Sequence, residues 1–386
     1  MKRTPTENPV TELVQGRLSR RAFVEQALAS GLSVGAVSAV LSACGGDTPK
    51  QPETPSGPAP STDAAPAGGE MEKELKIYNW SDYIAEDTVA NFEKETGIKV
   101  TYDTYESNEE LIAKLQAGAS GYDLVCPSGY AVQVLLALDL LDKLDPNQLK
   151  NRGNLAPSFR KTAFDPSDEH IVPWQWGMTG IAWRKDKLPV PPDSWAIFHN
   201  AELAKKMTMM DDMRDVLGAW LKYRGASVNS KVEAELQQAK ADAIEARKHI
   251  QSFISAPVKA QLVAGDVWVA QLWNGDTAQA TAEQPEIAWT IPKEGAIIWS
   301  DAMCIPKKAK NKRAAHAFLD FIMRPEVAAS IADYTGYGTP NAKALEKMEN
   351  PVALPTDEQM AKLEFQLDLG EATELWDRIW TEVKAG

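Results

Sequence analysis

From residue 74 onward the chain alternates short apolar runs with amphipathic ones, and this alternation limits its fold more than any other feature. "LKIYNW" (75–80) reads as a buried strand, and "DTVANFEKETG" (87–97) as a short helix closed by Gly97. "KVTYDTY" (99–105) is strand-like, "NEELIAKLQAG" (108–118) helical, and "YDLVCPS" (122–128) a buried strand ending at Ser128. This β-α-β-α-β order predicts an α/β fold with a mainly parallel sheet and helices on its faces.

A second such unit follows "VPWQWGMTGIAWR" (172–184), and "AIIWSDAMCIP" (296–306) reads as a return strand. Residues 231–253 predict a long helix with a polar face, and 313–334 two helical segments broken at Pro325. With 386 residues the chain is long enough for two domains. Two α/β lobes joined by more than one crossing is the simplest arrangement. A ligand would then lie between them, outside the strand ends.

Residues 1–43 read as an export signal. Arg20–Arg21 with Phe23 precede an uncharged run from Gln26 to Ala43, which leads into "LSAC" and Cys44. The arginine pair resembles a twin-arginine signal and "LSAC" a lipobox, so Cys44 would be the lipidated first residue of the mature protein. The alternative, a signal anchor, sits poorly with the Gly and Ser content of the run. Residues 45–70 are rich in Pro, Gly, Ser and Thr and predict a disordered tether. Cleavage removes five basic and three acidic side chains and takes the net charge from −13 to −15. Such a balance argues against nucleic acid and suits a cationic ligand.

The search for catalytic machinery is almost empty. His170, His199, His249 and His316 are scattered, without metal-ligand spacing. Walker and GxGxxG loops are absent, and Ser128 lacks the glycine context of a nucleophile elbow, Cys126 standing in its place. Only "DDMRD", with Asp211, Asp212 and Asp215, invites a metal reading. Its alternatives are a helix N-terminus with acidic caps, or carboxylates facing a cationic ligand. No cofactor is expected. Cys126 and Cys304 could pair in an oxidising compartment, but two buried thiols acting as small hydrophobes is the preferred reading.

What recurs instead is a carboxylate beside an aromatic ring at a strand end. The pattern appears at Trp80–Asp82–Tyr83 with Ser81 between, at Trp273–Asp276, and at Trp299–Asp301. A linear di- or triamine needs this combination: carboxylates for its ammonium groups, and ring faces for its methylene spacers. Each ring contact is worth roughly 0.5–2 kcal/mol. Trp is also a core residue, and packing is expected to take about half of the 12.

The residues from 74 to the C-terminus resemble the spermidine/putrescine-binding proteins of bacterial polyamine ABC transporters. "IYNWSDYI", "ANFEKETGIKV", "YDLVCPSGY", "IPKEGAIIWSDAMCIP" and "TGYGTPN" run close to that family's pattern, in order. The resemblance implies a periplasmic-binding-protein-like fold of class II: two α/β lobes, a hinge and an interlobe cleft. One lobe would comprise 74–175 and 300–345, the other 176–299 and 346–386. It implies no enzymatic activity, a monomer, a membrane permease as partner, and a polyamine as ligand, spermidine ahead of putrescine. Another cationic or amino-acid-like ligand, or a sensory role, is the alternative.

Carried over by position, the implied aromatic contacts are Trp80, Tyr83, Tyr130, Trp273, Trp299 and Tyr337. The acidic contacts are Asp82, Asp212, Asp215, Asp276 and Asp301, and the polar ones Ser81, Ser128 and Gln366. Tyr130, Tyr337 and Gln366 rest on the resemblance alone. Asp215 departs from it, standing where the family usually has Glu, with a carboxylate about one C–C bond further back. Asp276 resembles the putrescine-preferring type, whereas Tyr130, Trp299 and Gln366 resemble the spermidine type.

Overall fold

The chain leaves the sheet and returns to it three times in its first hundred described residues, and the first turns follow the capping rules. β1 (Glu74–Trp80) leads to α1 (Thr88–Thr96), which stops at Gly97 in the left-handed region, φ 72°. β2 (Lys99–Tyr105) then runs to α2 (Asn108–Gln116). There the Ser107 hydroxyl accepts from the Glu110 N–H, and Glu109 and Glu110 occupy the favourable first turn. β3 (Leu124–Val125) and α3 (Gly129–Ala137) complete the unit. The computed structural model describes residues 71–118, 121–255, 257–352 and 355–386. The expected signal peptide, Cys44 and nearly all of the tether lie outside the described residues.

β4 (Ile171–Arg184) is a strand of 14 residues, buried along almost its whole length and bulged between Pro173 and Gln175. β5 (Met207–Thr208), α4 (Met213–Tyr223), α5 (Glu233–Arg247) and α6 (Val258–Ala264) follow. Next come β6 (Val269–Trp273), α7 (Asn274–Glu283), β7 (Ile287–Thr290) and β8 (Ile297–Cys304). The chain closes with α8 (Lys312–Ile322), α9 (Pro325–Thr335), α10 (Asp357–Met360), β9 (Glu364–Phe365) and α11 (Thr373–Ala385). Pro325 does break the 313–334 stretch, standing at the start of α9 where a missing N–H costs nothing. The helix expected over 231–253 is shorter, because the residues after Arg247 turn to lay Phe253 against Met209.

All strands join one sheet in the order β2-β1-β3-β8-β4-β6-β5, with β7 on β4 and β9 on β8. The expectation of a mainly parallel sheet is corrected here. β1 pairs β2 and β3 in parallel, as do β5 with β6 and β8 with β9, but every pairing of β4 and that of β3 with β8 is antiparallel. The two long strands β4 and β8 return through the middle of the sheet, so its centre is antiparallel and its flanks parallel.

Four apolar clusters cover the two faces. Near β1, Leu75, Ile77, Phe92 and Phe318 pack one face and Tyr78, Leu111, Val132 and Leu135 the other. Near β6, Met207, Leu217, Trp220 and Trp376 pack one face and Val258, Leu262 and Leu272 the other. Each half is thus a helix-sheet-helix sandwich with its own core, and β4 and β8 run from one core to the other. Trp195, Trp220 and Trp376 are fully buried packing residues. Val125 is the register partner of Cys304, so Cys126, one residue on, points to the opposite face. The two buried thiols fall in different cores and are free.

Candidate functional site

The carboxyl ends of β1, β3, β5 and β6 converge where β8 crosses the sheet, and a cavity opens there. It is lined by Trp80, Ser81, Tyr83, Asn108, Ser128, Tyr130, Asp212, Asp215, Trp273, Asp276, Trp299, Asp301, Tyr337 and Gln366. The slot between these side chains measures about 500 Å³, in the size range of small-ligand sites. None of the lining residues is basic.

The slot's walls are rings. Trp80 meets Trp273 edge-on at 6.4 Å between centroids, and Trp273 meets Trp299 at 6.5 Å. Tyr83 and Trp299 each meet Tyr337 at 5.2 Å. The Trp80 indole N–H donates to the Cys126 carbonyl at 2.9 Å, which ties the end of β1 to the end of β3. Edge-to-face contacts of this kind hold the rings in fixed orientations and leave their faces open to a ligand.

Carboxylates stand at three stations. The first is the N-terminus of α4, where Asp212 accepts a 2.9 Å hydrogen bond from the Asp215 N–H as the helix cap. Asp215 is buried and accepts from the Thr179 hydroxyl at 2.7 Å. Burial, then the Asp212 charge, push the Asp215 carboxyl above the usual carboxylate range, and burial does the same to Asp212. The acidic-cap reading of "DDMRD" thus describes its local geometry, and two of its three carboxylates also face the slot. Asp211 is turned to Lys384 at 3.4 Å.

Asp276, in the first turn of α7, is the second station. It accepts from the Tyr337 hydroxyl at 3.0 Å, and burial pushes it up to about 6 against the pull of Tyr337 and Lys259. This contact depends on Gly275, since a Cβ there would overlap the Tyr337 ring. The third station, Asp301 on β8, is buried and pushed up to about 7, chiefly by desolvation. Asp301 Oδ1, Tyr83 Oη, Trp299 Nε1 and Gln366 Nε2 are buried without a hydrogen-bond partner among the described residues. Polar atoms left so inside a protein normally await a partner.

Of the residues anticipated from sequence, all but one come together in this slot. The exception is Asp82. It adopts φ 50° at the turn after β1, is largely exposed, and pairs with Lys259 at 2.9 Å. Asn108 was not anticipated. As the first residue of α2 it bonds the Ser128 hydroxyl at 3.2 Å and the Tyr130 hydroxyl at 3.1 Å, and it accepts from the Ser128 N–H. It sets the polar end of the slot, and the sequence marks it only as a helix start. Tyr130 is backed by the Arg214 guanidinium at 4.8 Å, which also donates to the Leu367 carbonyl and so steadies the segment bearing Gln366.

A slot of rings and carboxylates thus lies at the strand ends, between the two cores that β4 and β8 join, and its lining suits a small solute. Residues 87–362 match the bacterial extracellular solute-binding protein family, and the chain belongs to that family. It is 37% identical to the putrescine-binding periplasmic protein PotF of Escherichia coli K12, over 82% of this chain and 92% of that one. It is 35% identical to the spermidine/putrescine-binding periplasmic protein of Salmonella typhimurium, over 81% and 92%. Among solved structures it resembles the TpPotD lipoprotein of Treponema pallidum, with TM-score 0.74 and 34% identity, covering 81% of this chain and 100% of that one. The protein is a solute-binding protein of the exported kind, and its family works by binding, not catalysis.

Proposed function

We propose that the slot captures a polyamine, spermidine ahead of putrescine, and that the protein delivers it to the membrane permease of an ABC importer. The observation that carries this is the combination of ring faces with three carboxylate stations in one slot that no basic residue lines. A triamine has an ammonium for each station, Asp212–Asp215, Asp276 and Asp301, and methylene spacers for the rings between them. A diamine leaves one buried carboxylate without a counter-charge. The relatives, a putrescine-binding and a spermidine/putrescine-binding protein, support the ligand class.

In this reading residues 74–175 with 300–345 form one lobe and 176–299 with 346–386 the other. The lobes close on the ligand by bending β4 and β8. The contacts are those lining the slot, and the protein acts as a monomer. Residues 1–43 direct export through a twin-arginine signal, and a lipid on Cys44 holds the protein to the membrane by the 44–73 tether. Substituting Cys44→Ser should move the protein from the membrane fraction to the soluble one.

Calorimetric titration with spermidine, putrescine, spermine and cadaverine, with arginine as control, tests the ligand. One-to-one binding with spermidine tighter than putrescine is expected. A flat trace for every amine would remove the polyamine reading and leave the family assignment standing.

A further inference from the structure

Asp82 is the one carboxylate of the strand-end pattern that does not line the slot, and it already holds a cation. The Lys259 ammonium lies 2.9 Å from Asp82 Oδ2 and 2.8 Å from Gln279 Oε1. Gln279 is fixed in turn, its amide donating to the Thr335 carbonyl at 2.9 Å. Lys259 sits in the first turn of α6, where the helix field disfavours a positive charge. Helix preference therefore does not explain its presence there, whereas the acidic end of the slot does. Its side chain is only 20% exposed, against 63% for Asp82, so the stem lies against protein while the head reaches the carboxylate. The Asp82 backbone, at φ 50°, is held in a conformation that Asp tolerates better than most residues.

Chemically, a lysine side chain is a butylammonium, the same group that ends a putrescine or the longer arm of a spermidine. Lys259 also acts electrostatically on Asp276, as do Asp82 and Glu106 with the opposite sign. Asp82 stands between Ser81 and Tyr83, which line the slot, and Gln279 follows Asp276 by three residues on α7, so the Lys259 ammonium that bonds both sits beside the Asp276 end of the slot.

We propose that Lys259 is a specificity-determining residue, a built-in ammonium that fills the outermost anionic station and so limits the slot to ligands of three charges. A tetraamine that engaged the three inner stations would bring its fourth ammonium against Lys259. This inference rests on the polyamine reading and adds to it an upper limit of charge, set by a residue outside the slot.

The test compares the parent, Lys259→Met and Lys259→Arg by calorimetric titration with spermidine and spermine at two salt concentrations. Lys259→Met should raise the affinity for spermine relative to spermidine on the order of tenfold at low salt, with a smaller gain at high salt. Lys259→Arg, which keeps the charge, should keep the parent ranking. Circular dichroism melts check that each variant is folded, and a second route to the same end, Asp82→Asn in the Lys259→Met background, should abolish the gain. An unchanged spermine-to-spermidine ratio in folded Lys259→Met would overturn the inference while spermidine binding by the parent upheld the polyamine reading. Failure of the parent to bind any amine would overturn both.

Discussion

Asp212 accepts the backbone N–H of Asp215 at 2.9 Å, so a helix cap and the third residue of its helix present two carboxyl groups to one end of the same slot. The arrangement comes from helix geometry alone, yet it places like charges side by side away from water. Each acidic station in the slot shares that character, buried and reluctant to ionise until a cation arrives.

That reluctance has a pH signature. In the folded protein Asp301 and Asp276 hold their protons up to about 7 and about 6, while an unfolded Asp releases its proton near 4. A cation binds the ionised form, so affinity should rise between about pH 5.5 and 8, and binding at pH 6 should expel protons. The sign for stability is the opposite: the folded state binds these protons more tightly, so their contribution is largest in acid and is lost as pH rises from about 4 to about 7. Titrations at pH 6 in two buffers of different ionisation enthalpy check the linkage; identical apparent heats would count against it.

Replacing Asp301 by Asn removes the charge and keeps the shape. Because the carboxylate is buried and half unpaired, binding should weaken roughly a hundredfold, in line with losing one partner of a desolvated charge pair. Thermal stability should hold or rise slightly, since a buried charge has gone. Calorimetry together with a melting curve separates the two effects, and parent-like affinity would exclude Asp301 from ligand contact.

Gly275→Ala tests the contact between Tyr337 and Asp276. The added methyl would overlap the Tyr337 ring and must push it away, at a cost of roughly 1–3 kcal/mol. A melting temperature lower by several degrees and at least a tenfold loss of affinity are expected. Loss of stability with unaltered affinity would show that the Tyr337 hydroxyl is dispensable for the ligand.

The two-core layout was legible because helix and strand periodicities differ, and α1 ends where Gly97 signals. Strand direction was not legible. Apolar runs such as "AIIWSDAMCIP" look the same whichever way they enter a sheet, and only the register with β3 and β4 shows β8 to be antiparallel. Trp80, Asp276 and Asp301 announced themselves through an unusual pairing of ring and carboxylate. Asn108 carried no such mark, since its partners Ser128 and Tyr130 come near it only when α2 and α3 dock. Asp82 matched the pattern but answers to Lys259, 177 residues away, a distance across which local sequence says nothing.

The placement of Cys126 and Cys304 in separate cores has a consequence for the protein's history before export. A body that owes none of its stability to a link between these thiols can reach its final form in the reducing compartment where it is made. Maturation of this binding unit then needs no oxidant on the far side of the membrane, and its ligand affinity should be indifferent to the redox state of its surroundings.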